Sequence, residues 1–126
     1  MPTDRPTDMP PFLEPGSATI ADFERLDLRV GRIISAAPLE AARKPAYRLE
    51  IDFGPAGRRS SSAQLRQTYP EPSALRGRRI VAVVNFPRRR VAGFRSEVLV
   101  LGALSPVGVL PLLGPDDGGK PGQRIV

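Results

Sequence analysis

Cysteine, histidine and tryptophan are all absent from the 126 residues. Without thiols there is no disulfide framework and no thiolate nucleophile. Without imidazole there is no zinc site of the usual kind and no general base poised near neutral pH. An enzyme would have to run on carboxylates, Lys, Tyr or Ser alone, so the expectation is a binding protein with no catalytic role, metal or cofactor. Two Tyr and five Phe are the whole aromatic supply, few platforms for the base stacking that sequence-independent single-strand binders use. Long apolar runs are missing as well, which excludes a spanning helix. With no leader pattern at the N-terminus, a cytoplasmic protein without membrane insertion is expected.

What is present is charge, and mostly of one sign. The formal net charge is +6, with six acids against two arginines over residues 1–27, so that residues 28–126 carry +10. All the basic residues except Lys44 and Lys120 are Arg, the side chain suited to bidentate phosphate contacts. Fifteen Pro and twelve Gly favour short strands and turns over long helices.

Residues 1–18 are proline-rich, polar and without periodicity, which predicts a disordered arm ahead of a single domain over 19–126. Thr19 or Asp22 caps a helical turn through Arg25. Leu28–Ala37 reads as a first strand whose phase slips at Gly31, where a bulge or bend is expected. Tyr47, Leu49, Ile51 and Phe53 alternate with Arg48, Glu50 and Asp52, the pattern of a half-buried strand. A Gly-Pro turn leads to a third strand, Arg58–Ser62. Ser62 then serves as N-cap for a short helix, Ala63–Tyr69, stopped by Pro70. Ile80–Val84 and Val98–Leu101 form two further strands around a basic loop, and Val107–Leu113, broken by Pro111, is an edge strand. The order predicts an all-β fold, a five-stranded Greek-key OB barrel with a short helix between strands three and four, an N-terminal helical turn and a C-terminal edge strand.

Within the basic loop, Arg88, Arg89 and Arg90 repel one another unless anions are bound, which makes them candidates for phosphate contact together with Arg95. Arg76, Arg78 and Arg79 read as solvated surface. Asn85 either fixes the turn ahead of Phe86-Pro87 or hydrogen-bonds a base edge. Ser61, Ser62 and Gln64 read as belonging to the helix cap. Phe86 continues the phase of Ile80, Ala82 and Val84 and is expected in the core. Both faces of the two late strands are apolar, more than one half-solvated wall requires, so a partner subunit is expected to cover the excess.

Several linked motifs then carry a resemblance: Asp22-Phe23, Leu26 through Gly31, Lys44-Pro45-Ala46-Tyr47, Ile51-Asp52-Phe53-Gly54, Ser61-Ser62-Ala63-Gln64, Asn85-Phe86-Pro87 and Gly93 through Gly102. From Ile20 onward the chain resembles the tRNA-binding OB-domain family, with particular similarity to its CsaA-type branch of export-related chaperones. The resemblance implies an OB-fold homodimer that binds the body of tRNA without regard to the anticodon. For the CsaA-type branch it also implies affinity for unfolded or presecretory polypeptides. It places the residues matching Asn85 and Ser96 at the tRNA-contacting face and raises Ser61 and Gln64 as contacts. Arg88 departs from the Pro-Pro-Arg-Arg of similar chains and makes this loop more basic and less stiff.

Overall fold

A computed structural model describes residues 10–105 and 110–126. Helix α1 (Ile20–Glu24) opens the domain with a capping box, in which Thr19 Oγ1 accepts from the Asp22 N–H and the Asp22 carboxylate accepts from the Thr19 N–H. Seven strands follow: β1 (Leu28–Pro38), β2 (Tyr47–Asp52), β3 (Arg58–Ala63), β4 (Arg79–Val83), β5 (Arg89–Val91), β6 (Phe94–Ser96) and β7 (Leu99–Val100). Five of them form one antiparallel sheet in the order β3-β2-β1-β4-β7, and β5-β6 is a separate hairpin. The large sheet curls so that its edges β3 and β7 approach each other, giving a nearly closed five-strand barrel with almost no helix, the expected OB-like architecture. Its interior is filled by Ile33, Leu49, Ile51, Phe53, Leu65, Leu75, Ile80 and Val100.

Several local expectations are corrected. Ala63–Tyr69 is not a helix: β3 runs on through Ala63, Ser62 sits within it, and only one helical turn forms, with the Tyr69 N–H on the Leu65 carbonyl at 2.8 Å. Seven residues ending at Pro70 are too few to sustain a helix that lacks a buried stripe. A second single turn, a 3-10 helix over Pro72–Ala74, completes the connection to β4.

The irregularity in β1 lies not at Gly31 but between Ile33 and Ser35, where the register with β2 shifts. The change of phase ahead of it reflects burial on two faces. Ile33 enters the barrel, whereas Leu28 packs outside with Val81 and Val83. That outer cluster explains the apolar excess of the strands, because Leu26, Leu101 and Ile125 of the same chain pack against it. The Gly- and Pro-rich C-terminus holds Ile125 there by running along β1. The Gly122 N–H donates to Val30 O, the Val30 N–H to Gln123 O and the Ile125 N–H to Leu28 O, all at 2.8–2.9 Å.

Of the expected edge strand Val107–Leu113, residues 107–109 lie outside the described residues, and the remainder pairs with the chain after β7 through a bridge between Gly102 and Leu112. Residues 1–9 of the arm likewise lie outside the described residues, and 10–18 are exposed.

Candidate nucleic-acid interface

The basic loop between β4 and β7 is itself a folded element. Ala92 and Gly93 both have positive φ, 52° and 81°, as a two-residue hairpin turn of the right twist requires. The register pairs Arg89 with Ser96, Arg90 with Arg95 and Val91 with Phe94. Directly opposed residues share a face. Arg89, Val91, Phe94 and Ser96 therefore lie on one side, with Ser96 buried, and Arg90 and Arg95 stand together on the exposed side.

The three adjacent arginines consequently do three different things. Arg88 Nη2 lies 3.5 Å from the Glu97 carboxylate. Arg89 lines a cleft beneath the hairpin. Arg90 faces solvent and donates to the Gly93 carbonyl at the turn, at 3.1 Å.

The cleft holds about 620 Å³ and is lined also by Arg43 and Lys44, from the connection between β1 and β2. Its floor is apolar, built from Ala46, Ala63, Val91, Leu99 and Val100, with Gln64 at the rim. A second depression of about 440 Å³ shares Ser62, Arg89 and Leu99 with it and adds Phe86, Pro87, Arg88 and Glu97. Phe86 and Leu99 are 43% and 44% exposed, so apolar surface is presented in the second depression and Phe86 is not the core residue its phase suggested. β4 ends at Val83, before Phe86, and the alternation stops with it.

Glu97 is the one acid of the hairpin. Ser60 donates to its carboxylate through both N–H, at 2.9 Å, and Oγ, at 3.0 Å. The hydrogen bond from the Ser60 backbone is the largest influence on the carboxyl, and with help from the Ser60 hydroxyl, Arg88 and Arg59 it holds the pKa below the usual value despite partial burial.

Two of the anticipated contact residues are engaged elsewhere. Asn85 accepts from the Asp27 N–H and donates to the Arg25 carbonyl, both at 2.9 Å, and so pins the corner between α1 and β1 instead of entering the cleft. Ser61 is fully buried and directs its hydroxyl to Val98 O, at 3.0 Å. Ser96 lines the second depression and not the cleft, and its Oγ accepts from the Ser62 N–H at 3.0 Å. Arg89 and Gln64 are brought together in the cleft, Arg88 and Ser96 adjoin them, and Arg90 and Arg95 stand on the opposite face of the hairpin. Sequence reasoning missed Arg43, Lys44 and Leu99 as cleft residues. The only signal for the first two was an adjacent cation pair in a connection bounded by Pro38 and Pro45. Among the described residues no group of three or more acids stands where a metal ion could be held.

A barrel with a cationic cleft between its first connection and an inserted basic hairpin defines a class of nucleic-acid-binding module. The chain belongs to the tRNA binding domain family, whose model matches residues 28–124. Among solved structures it is similar to the chaperone CsaA of Bacillus anthracis str. Ames, with 50% identity and a TM-score of 0.82 over 88% of this chain and 100% of that one. The CsaA chaperone protein of Picrophilus torridus is also similar, at 45% identity and a TM-score of 0.79 over 86% of this chain and 99% of that one. Methionine–tRNA ligase of Xanthomonas campestris pv. campestris (strain B100) is 35% identical over 115 residues, which is 91% of this chain and 16% of the ligase. The chain thus spans only a small part of the curated relatives it matches.

Proposed function

We propose that this protein binds structured RNA, tRNA in the first place, by shape and backbone and without catalysis. The observation that carries the reading is a cleft lined by the cations Arg43, Lys44 and Arg89 together with apolar Ala46, Ala63, Val91, Leu99 and Val100. Phosphates meet the cationic rim, and an unstacked base finds the exposed Leu99 and Phe86 below. Membership of the tRNA binding domain family supports the same ligand. Filter binding of tRNA across a salt series tests it. Affinity should fall steeply with salt, and replacing Arg43, Lys44 and Arg89 together by Ala should flatten the slope by about 0.7–0.9 for each phosphate no longer neutralised. Indifference to salt or to the triple substitution overturns the reading.

A second ligand is favoured by the same apolar floor and by similarity to two proteins described as chaperones, namely unfolded or presecretory polypeptide. A denatured client that binds the protein and displaces tRNA would place both ligands in one cleft. The protein acts as a homodimer in this proposal. Ile20, Phe23 and Val126 stay exposed side by side around one depression, an apolar patch suited to a second copy. Sedimentation of Phe23→Asp should show a monomer where the parent chain sediments as a dimer.

A further inference from the structure

We infer that Glu97 is the positioning residue that holds the basic hairpin over the cleft, an inference that rests on the cleft being the RNA site. The barrel closes between β3 and the segment leaving the hairpin, and among the described residues no strand ladder joins β3 to β6 or β7. The joint has one backbone hydrogen bond, from the Glu97 N–H to Ser60 O at 2.9 Å. The rest is made by side chains: Ser96 Oγ takes the Ser62 N–H at 3.0 Å, Ser61 Oγ donates to Val98 O at 3.0 Å, and Glu97 engages Ser60. Glu97 Oε1 takes the Ser60 N–H at 2.9 Å and lies 3.0 Å from Ser60 Oγ, which is also 2.8 Å from the Arg95 carbonyl. The other carboxylate oxygen, Oε2, faces Arg88 Nη2 at 3.5 Å.

One side chain therefore joins three things: the limb that enters the hairpin, through Arg88; the limb that leaves it, through its own backbone; and the barrel wall, through Ser60. Its side chain is 18% exposed against 56% for that of Arg88. The anchor is thus the shielded Ser60–Glu97 contact, and the arginine is the outer, exchangeable arm. A phosphate arriving at the cleft can take Arg88 from Glu97 without loosening the hairpin, because the bond from the Ser60 N–H remains and the Ser60 hydroxyl, whose one proton is shared between Glu97 and the Arg95 carbonyl, stays beside it.

The sign of the effect separates positioning from electrostatics. Glu97 is a negative charge at the edge of an anion-binding cleft, and removing it should by charge alone tighten tRNA binding about two- to five-fold. A positioning role demands the reverse. Glu97→Ala should weaken tRNA binding at least ~10-fold because the hairpin that carries Arg89 is released. Glu97→Gln keeps an acceptor for Ser60 while losing the charge, and should bind at least as tightly as the parent. Ser60→Ala removes only the hydroxyl and should fall between the two.

Limited trypsin digestion reads the same hairpin without RNA. Arg88–Arg90 should be cut sooner in Glu97→Ala and at the parental rate in Glu97→Gln. Thermal unfolding of each variant establishes that the barrel is intact, and if Glu97→Ala does not fold, Ser60→Ala carries both measurements. A folded Glu97→Ala that binds tRNA as well as or better than the parent, or whose hairpin resists trypsin like the parent's, overturns the inference. If the parent itself fails to bind tRNA, it is the RNA reading that falls, and trypsin still decides whether Glu97 holds the hairpin.

Discussion

Replacing Gly31 by Ala offers a direct measurement of why that glycine stands in β1. Gly31 is not among the residues with positive φ, so Ala can adopt its backbone without strain. A methyl group there would, however, sit 2.6 Å from Ile51 Cγ2 and 2.8 Å from Phe53 Cε1, both side chains fully buried in the barrel. Ordinary carbon contacts lie near 3.5–4.0 Å, so two buried side chains must each retreat by about 1 Å into a core with no slack. Overpacking of this kind costs about 1–3 kcal/mol, less about 0.4–1 kcal/mol regained because Ala restricts the unfolded chain. The expected net loss is about 1–2 kcal/mol, a fall of several degrees in melting temperature for a domain of this size.

The assay is urea or thermal unfolding of a double-mutant cycle with Ile51→Ala, which removes the Cγ2 methyl that the new side chain would strike. Ile51→Ala alone should cost about 2–5 kcal/mol, and the double variant should cost clearly less than the two losses together, with a coupling of about 1 kcal/mol. If Gly31→Ala is neutral or stabilising, or if the two losses add, close approach is not the reason for the glycine.

Ile125→Ala should destabilise the domain by about 1–2 kcal/mol in chemical denaturation, because it uncovers Leu28, Val81 and Val83 while leaving the bond from its N–H to Leu28 O in place. Tyr47→Phe keeps the volume of a buried ring but removes the hydroxyl that donates to the carbonyls of Tyr69 and Pro70, at 2.7 and 3.0 Å. A loss of about 1–2 kcal/mol on thermal unfolding is expected from carbonyls left unmatched. The lowered pKa of Glu97 fixes the sign of a pH effect: its stabilisation is present at neutral pH and is lost as pH falls below about 4.3, through the folded value. Glu97→Gln should therefore show a shallower loss of stability in acid than the parent chain, measured as denaturant midpoint against pH.

Much of the barrel was legible because alternation is a local property. Tyr47–Asp52 announces its buried face within six residues, and a cap for α1 was legible as Thr19 or Asp22, which the structure joins in one capping box. What failed did so where a distant segment decides. Ala63–Tyr69 has helical spacing, but the strand before it and the prolines after it leave room for one turn. The apolar excess of β4 and β7 was assigned to a subunit interface, and nothing in a Gly- and Pro-rich tail suggests that Ile125 will return to pack against Val81 and Val83. For the cleft, composition and clustering singled out the stretch that folds as the hairpin and could not say which way each arginine faces.

By itself, then, the sequence determined the class of chemistry. With no Cys, His or Trp and a strongly arginine-rich body, the side chains on hand are guanidinium groups, carboxylates and hydroxyls, with neither thiol nor imidazole. The tertiary structure alone decided the division of labour, sending Arg88 to Glu97, Arg89 into the cleft with Arg43 and Lys44, and Asn85 and Ser61 to backbone carbonyls and amides. The physical reason is that a side chain's partner is set by register and barrel closure, which join residues tens of positions apart, whereas its charge and hydrogen-bonding capacity belong to it wherever it stands.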